Sequence, residues 1–270
     1  MILFFQELLL FGAVQLIGIF VVLKSRGLIQ NQPAFDLTPG EIIFSLIFLA
    51  AFIYFARKFS RKSTFFFRLV LGLAVFAGSQ TVFSLIFNET VFSTFSAALL
   101  AFAVLKAKIV WLHNIGIILA LAGIGAVFGL SLTPLPVIIL LLILSFYDII
   151  AVYKTGHMVK MAEDMIKSRA IFGLVIPQKF QGWKENLKNV SPGGEFMILG
   201  SGDIVMPLLL IASVIGFHGL AYGLIVFLFS MLGLFLTYYL FITQKIRRPM
   251  AALPPIAVTS IIGYLIALIF

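Results

Sequence analysis

Two aspartates, Asp148 and Asp203, are the residues of this 270-residue chain whose type and surroundings best fit chemistry. Each is the lone charge in a stretch that is otherwise apolar enough to cross a bilayer. A carboxylate in hydrocarbon is costly, so an ionisable residue at such a position is a functional-site hypothesis by default. If neighbouring antiparallel helices bring the two to one depth, the pair can share a proton and act as an acid and a base on a water molecule.

The composition predicts a polytopic membrane protein. Hydrophobic residues make up 62% of the chain, charged residues 11%, and the mean hydropathy is +1.17, whereas soluble domains are about half apolar and a quarter charged. The apolar runs are continuous rather than alternating, which favours helices over a β-barrel. Zero cysteines exclude disulfides and thiol nucleophiles, and the three histidines are widely separated. We therefore predict no metal and no cofactor.

Charged residues and helix breakers divide the chain into nine predicted transmembrane helices, an all-α fold that forms a single membrane domain, 1–270. At about 20 residues per span, this count uses nearly the whole length. A polar loop, 154–195, separates the two helices that carry the aspartates and is predicted to be cytoplasmic. The predicted spans are about 2–23, 41–57, 65–87, 90–105, 109–130, 136–153, 196–215, 220–242 and 252–270.

The distribution of lysine and arginine predicts the orientation. With nine spans, 17 of the 19 basic residues fall on the side of the N-terminus, and only Lys24 and Arg26 fall on the other. Cytoplasmic loops carry the excess of basic residues, so we predict a cytoplasmic N-terminus, an outside C-terminus and a multi-pass protein of the cell membrane. The net charge of +9 is then explained by the basic cytoplasmic loops and by their attraction to anionic lipid of the bilayer. Nucleic acid is not a predicted partner.

This topology places three separate segments at one depth. Asp148 lies about 9 Å and Asp203 about 10 Å from the cytoplasmic ends of their predicted helices, at a rise of about 1.5 Å per residue. The segment 251–255, at the start of the last span, lies near the same level. Two carboxylates and a proline-containing segment are therefore expected to meet in one layer.

Small residues and prolines are expected to shape this layer. Gly200, one helical turn before Asp203, would leave a slot beside the carboxylate. Gly202 would allow a neighbouring helix to approach closely. Pro254 and Pro255 lack amide donors, which predicts an irregular start to the last span. Irregular backbone at membrane depth is tolerated where it lines a cavity or is buried in protein.

Three short motifs stand out in chain order: Tyr147-Asp148, Gly200-Ser201-Gly202-Asp203 and Ala252-Leu253-Pro254. They resemble the YD, GxGD and PAL motifs of the presenilin and signal peptide peptidase family of intramembrane aspartyl proteases. The nine-span layout and the long loop resemble the family over the whole chain, and the short length resembles its archaeal presenilin homologues. Ala251 stands where the family has a proline.

The resemblance implies hydrolysis of peptide bonds within the transmembrane segments of single-span membrane proteins. Asp148 and Asp203 would be catalytic: an ionised aspartate takes a proton from water while a protonated one donates to the scissile carbonyl. Residues implied to contact substrate are Tyr147, Gly200, Gly202, Ala252, Leu253 and Pro254. The sequence does not specify an oligomeric state.

A proton- or cation-coupled transporter is the main alternative, because paired aspartates on neighbouring helices also relay protons. It predicts inverted repeats and a site at the bilayer midplane. The sequence shows no convincing internal repeat, and both aspartates lie off-centre. A purely structural role is a further alternative, in which Asp148 and Asp203 make buried polar contacts that fix the packing of the helices.

Other polar and apolar features receive local interpretations. Glu7 is expected to reach the membrane interface from the end of the first helix, and His113 with Asn114 to form an interfacial cluster after Trp111. The apolar run 170–176 in the loop is rich in β-formers. It could pair with extended substrate as an added strand, or anchor the loop at the interface.

Overall fold

The computed structural model describes residues 2–29, 63–87, 89–190, 195–244 and 249–269. Within these ranges the chain is mostly helical, with one two-stranded sheet. The predicted second span, 41–57, lies outside the described residues. The elements are α1 (Ile2–Ile29), α2 (Ser63–Ile86), α3 (Thr90–Ala107), α4 (Val110–Leu130), α5 (Pro134–Ile149), α6 (His157–Ser168), β1 (Gly173–Pro177), β2 (Phe196–Gly200), α7 (Ser201–His218), α8 (Leu220–Ile242) and α9 (Leu253–Ala267).

Seven of the described helices are long and apolar enough to cross a membrane: α1 to α5, α7 and α8. In hydrocarbon every backbone polar group needs an internal partner, which a continuous helix provides. The apolar α9 is shorter, with 15 residues. The amphipathic α6 belongs to the polar loop.

Helix α4 occupies the centre of the bundle and packs closely against α2 and α7. Gly78 of α2 and Gly123 of α4 face each other so closely that a Cβ on either would collide with the other backbone. Gly129 of α4 similarly faces Leu209 and Ala212 of α7. Small residues at such contacts let helices approach, which is how helices associate without a hydrophobic driving force in lipid. Helix α7 is thereby held against α4, and these two are the most buried of the seven long apolar helices.

The sequence-based assignment of a helix over 196–215 is wrong at its beginning. Residues Phe196–Gly200 form strand β2, which pairs antiparallel with β1, and the helix begins at Ser201. The short apolar run before Ser201 fits a buried strand as well as a helix. A partner more than 20 residues away decides between them, so the all-α prediction is corrected to a mostly helical fold with a small sheet.

Candidate active site

Asp148 lies in the last turn of α5, and it points into the protein. It is 5% exposed, and Ser145 and Ala151, three residues to either side, are buried as well. Immediately after it, the helix widens into a π-helical turn, Ile150–Lys154, closed by a bond from the Thr155 N–H to the Ile150 carbonyl oxygen (3.0 Å). Single π-helical turns of this kind are frequent at functional sites.

The first turn of α9 provides a hydrogen-bond donor to Asp148. The Leu253 backbone N–H donates to Asp148 Oδ2 at 3.3 Å. The first amides of a helix have no partner within the helix, so they are available to a carboxylate. The predicted irregular start is wrong, because Pro254 and Pro255 lie inside a regular first turn. Proline costs little there, since its missing N–H would be unpaired anyway.

The start of α9 is held in place by α8. Thr237 Oγ1 lies 3.3 Å from the carbonyl oxygen of Ala252 and donates to Gly233 within its own helix at 2.9 Å. Ala252 is half-buried, whereas Ala251 and Leu253 are buried. The segment that resembles PAL is therefore packed between α8 and Asp148, as expected from its predicted depth.

Asp203 is the third residue of α7, directly after the sheet. Gly200 is the last residue of β2 and the N-cap of α7, and its backbone lies beside the Asp203 carboxylate. A Cβ at Gly200 would lie 3.0 Å from Asp203 Oδ2. Gly200 thus leaves room beside the carboxylate, although it does so from the end of a strand rather than from a helix.

Asp148 and Asp203 are near enough to interact electrostatically, and the helices that carry them pack against each other. Three elements therefore converge: the end of α5, the junction of β2 with α7, and the start of α9. In the part of the chain that the structure describes, no group of three or more His, Asp or Glu side chains is arranged to hold a metal ion. Two carboxyl groups that are near each other can transfer protons.

Two further predicted site residues are accessible. Gly202 is exposed, and a Cβ there would meet nothing within 4 Å. The expectation that Gly202 allows close helix packing is therefore wrong, since this side of the first turn of α7 is open. Tyr147, next to Asp148, is 50% exposed. Each of these exposed residues is the chain neighbour of one of the two aspartates.

The prediction that His113 and Asn114 form an interfacial cluster is wrong, because both residues have a structural role inside the bundle. Each is 1% exposed rather than interfacial. Asn114 Nδ2 donates to the Val175 carbonyl at 2.7 Å, and its Oδ1 accepts from the Val175 N–H at 2.9 Å. His113 Nε2 lies 3.1 Å from the Gly173 carbonyl oxygen. Two side chains of α4 thus occupy the outer edge of β1, and the only sequence signal for this was polarity within an apolar helix.

Both interpretations of the run 170–176 need correction. It forms a strand, but all five residues of β1 are buried, so it is not an interfacial anchor. One edge pairs with β2 and the other with α4, so β1 has no free edge for an extended substrate at Val175. The sequence could not show this because both partners are distant in the chain.

Glu7 is also placed differently from the expectation. It is 0% exposed, and within the described residues neither carboxylate oxygen has a hydrogen-bond partner. Glu7 interacts electrostatically with Asp203. The side chain is therefore buried in the bundle near the site and does not reach the interface.

Comparison with known proteins identifies the class of protein that this fold and site define. The profile of the family described as signal-peptide peptidase, presenilin aspartyl protease matches residues 13–270. The chain belongs to this family. It is therefore an intramembrane aspartyl protease, an aspartic endopeptidase built as a multi-pass membrane protein.

Solved structures share the fold. One crystal structure of a presenilin family intramembrane aspartate protease, in space group C222, is 23% identical, with a TM-score of 0.67 and 98% of each chain covered. A second, in space group P2, is 25% identical, with a TM-score of 0.62, covering 97% of this chain and 96% of the other. Among curated protein sequences none matches this chain. None of these similarities supports the transporter alternative.

Proposed function

We propose that Asp148 and Asp203 are the catalytic pair of this protease. The observation that carries the assignment is their convergence: two buried or half-buried carboxyl groups, on packed helices, interact with each other. Asp148 also accepts a hydrogen bond from the Leu253 N–H, and the Asp203 carboxylate lies against the backbone of Gly200. Such contacts favour a fixed orientation of the carboxyl groups, which proton transfer requires.

The proposed mechanism uses one proton shared by two close carboxyl groups. The ionised aspartate accepts a proton from water as the water oxygen bonds to the scissile carbonyl carbon. The protonated aspartate donates its proton to the carbonyl oxygen, which gives a neutral gem-diol. Collapse of the gem-diol breaks the C–N bond: the leaving nitrogen takes the proton held by the first aspartate, and a gem-diol hydroxyl returns its proton to the second aspartate as the carbonyl re-forms. In this mechanism water is the nucleophile, so no covalent intermediate forms with the enzyme.

We propose the orientation that the basic residues predict, with the N-terminus cytoplasmic and the C-terminus outside. Support comes from 17 of the 19 basic residues, which fall on one side of a nine-span layout. The site then lies near the cytoplasmic end of the bundle, close to β1 and β2. Water can reach carboxyl groups at that depth more readily than at the midplane.

Single-span membrane proteins are the proposed substrates, cleaved within the membrane segment. A helix hides its peptide bonds in internal hydrogen bonds, so the segment must become extended before attack. Strand β2 offers an edge for it. Ser201 N–H donates to the Phe172 carbonyl at 3.1 Å, so residue 201 faces β1. Along an antiparallel strand, the backbone N–H and C=O of successive residues point alternately toward the partner strand and away from it. Ile198 is three residues before Ser201, so its backbone N–H and C=O point away from β1.

The free edge of β2 leads directly to the site. Ile198 is half-buried and lies opposite Val175 in the register. Within the described residues its outward groups have no backbone partner, whereas Val175 is paired with Asn114 on the other edge. A substrate strand added along β2 would continue past Gly200 to the open side of Gly202, next to Asp203. Tyr147 and the segment of Ala252, Leu253 and Pro254 would border it from the side of Asp148.

The catalytic assignment is tested with purified protein in liposomes and a panel of single-span peptides, with the products mapped by mass. We expect cleavage by the wild type and none by Asp148→Asn or Asp203→Asn. Both variants should keep the wild-type unfolding temperature. Labelling by an aspartyl-protease transition-state analogue provides a second readout, since a transporter has no reason to bind one. Full turnover by either purified variant would overturn the assignment.

The strand-addition proposal is tested separately at Ile198. Ile198→Pro removes the outward N–H without breaking the ladder to β1, and proline is tolerated at such edge positions. We expect a lower kcat/KM, whereas Ile198→Ala, which keeps the N–H, should stay near wild type. Equal kinetics for the proline and alanine variants would reject strand addition at this edge.

A further inference from the structure

Four basic side chains from separate segments converge at the end of the bundle that also carries the sheet. They are Arg68 of α2, Lys108 between α3 and α4, Arg169 after α6, and Lys188 between β1 and β2. Their electrostatic interactions are the sign of this convergence, because Lys108 interacts with each of the other three. We call these four residues the basic cluster.

Two hydrogen bonds to backbone carbonyl groups hold the cluster residues in place. Arg68 Nε donates to the Ser168 carbonyl at 3.1 Å, which brings Arg68 beside Arg169. The Leu187 N–H donates to the Lys108 carbonyl at 2.7 Å, which brings Lys188 beside Lys108. These two hydrogen bonds therefore connect α2 and the end of α3 to the polar loop, at one point before β1 and at another between β1 and β2.

None of the four cluster residues forms an ion pair in the described part of the chain, where the ion pair that is present joins Lys179 to Glu195. Partial burial, together with the charges of the other three cluster members, holds the pKa of Lys108 below its usual range. Like charges repel, so an anion that joins the cluster would stabilise it.

Backbone conformation indicates that the fold keeps cations at this place. Lys108 and Arg169 are the two non-glycine residues with positive φ in the described ranges, at 53° and 57°. Each occupies the C-cap of a helix, α3 or α6, where glycine would avoid the strain. The attraction of a cation to a helix C-terminus explains why Lys108 follows α3 and why Arg169 follows α6. It does not explain why the fold brings these two helix ends together with Arg68 and Lys188.

We propose that the basic cluster binds a phosphate group, as carried by the headgroup of an anionic phospholipid. Arginine guanidinium groups contact phosphate oxygens in a bidentate way, and lysine adds a compact positive charge. Arg68, Lys108 and Arg169 are half-buried and Lys188 is exposed, so the cluster is open to a ligand on one side. It lies at the ends of α2, α3 and α4, the level at which a bilayer presents its headgroups.

A bound phosphate would stabilise the sheet next to Asp203. Arg169 comes four residues before β1, and Lys188 lies in the connection from β1 to β2. An anion that binds both basic side chains, and also Arg68 and Lys108, fixes the loop to the bundle. The effect on proteolysis would be indirect, through the position of β2.

The test compares two variants that lose the same charge. The cluster variant is Arg68→Gln, Lys108→Gln, Arg169→Gln and Lys188→Gln. The control variant is Lys106→Gln, Lys154→Gln, Lys167→Gln and Lys184→Gln, four exposed lysines outside the cluster. Unfolding temperature in detergent is measured with added phosphatidic acid, with phosphatidylcholine and with inorganic phosphate. Retained lipid is counted by native mass spectrometry.

We expect phosphatidic acid to stabilise the wild type and the control, and to bind the cluster variant at least about tenfold more weakly. Stabilisation by inorganic phosphate alone to the same extent would support the phosphate site with a soluble ligand as its source. Equal loss of binding in both variants would overturn the proposal, because general charge would then be sufficient. If the cluster variant does not fold, Lys108→Gln with Lys188→Gln is compared with Lys106→Gln with Lys184→Gln. Repeating the binding measurement on Asp148→Asn separates the result from catalysis.

Discussion

Asp148 and Glu7 are two buried carboxyl groups with opposite surroundings. Asp148 accepts a hydrogen bond from the first turn of α9, whereas neither oxygen of Glu7 has a partner within the described residues. Both side chains are buried, being 5% and 0% exposed. Burial alone therefore does not distinguish the proposed catalytic carboxyl group from one with no proposed role. The difference is the hydrogen bond that the fold brings to Asp148 from a distant segment, which would orient the group for the proposed proton transfer.

The difference between Asp148 and Glu7 is tested most strongly by neutralising each carboxyl group without changing its shape. Asp148→Asn should lower the rate of peptide cleavage at least about 10³-fold, because an amide cannot exchange the proton. Glu7→Gln should stay within a few-fold of the wild type. Initial rates in liposomes, quantified by mass spectrometry, measure both. A loss in Glu7→Gln as large as that in Asp148→Asn would show that the absence of hydrogen bonds does not mark an unused acid.

Asp203 allows the same comparison through its neighbours. Gly200→Ala places a Cβ within about 3.0 Å of Asp203 Oδ2 and should lower kcat about 10²-fold, since small displacements of a catalytic group have effects of that size. Gly202→Ala is the matched control, because a Cβ there meets nothing within 4 Å. The measurement is kcat with unfolding temperature as a check. Equal kcat values for the two alanine variants would remove the positional role of Gly200.

Asn114 extends the comparison to the polar groups that support the site. Asn114→Leu leaves the N–H and C=O of Val175 unpaired in a buried strand, which should lower the free energy of unfolding by about 3 kcal/mol. Gln80→Leu is the control, since it loses one partly buried bond to Thr94 and should cost about 1 kcal/mol or less. Denaturant-induced unfolding in detergent compares the two. A smaller loss for Asn114→Leu than for Gln80→Leu would contradict the assigned role.

The smallest expected effect tests the cost of the unpaired acid itself. Replacing a buried polar group that has no partner by an apolar one of similar size is often neutral or stabilising. Glu7→Leu should therefore raise the free energy of unfolding by about 1 kcal/mol, measured by the same denaturation assay. Asp148→Leu is the contrasting variant, because it leaves the Leu253 N–H without its acceptor. Destabilisation by Glu7→Leu would indicate that Glu7 has a partner in the folded protein.

Much of the site could be predicted from the sequence because its signal is local. A lone aspartate in an apolar helix is unusual whatever surrounds it, and Asp148 and Asp203 were identified on that ground. Their common depth followed from counting residues at a fixed rise per residue. The level of the start of α9 followed in the same way, and its contact with Asp148 agrees with it.

The parts that were wrong depended on partners far away in the chain. Residues 196–200 were assigned to a helix because an apolar run of that length fits either a helix or a buried strand. Glu7 and His113 were placed at the interface because each lies near the end of an apolar run. Both are buried because other segments cover those ends.

The sequence by itself determined that this chain is a multi-pass bundle of apolar helices, and it predicted two acids at one level. Hydrophobicity and helical rise are properties of consecutive residues, so they can be read without knowing the fold. Only the tertiary structure decided that β1 pairs with β2, that Asn114 closes the other edge, and that Leu253 donates to Asp148. Hydrogen bonds between distant segments depend on which of several chemically equivalent partners the packing brings within reach.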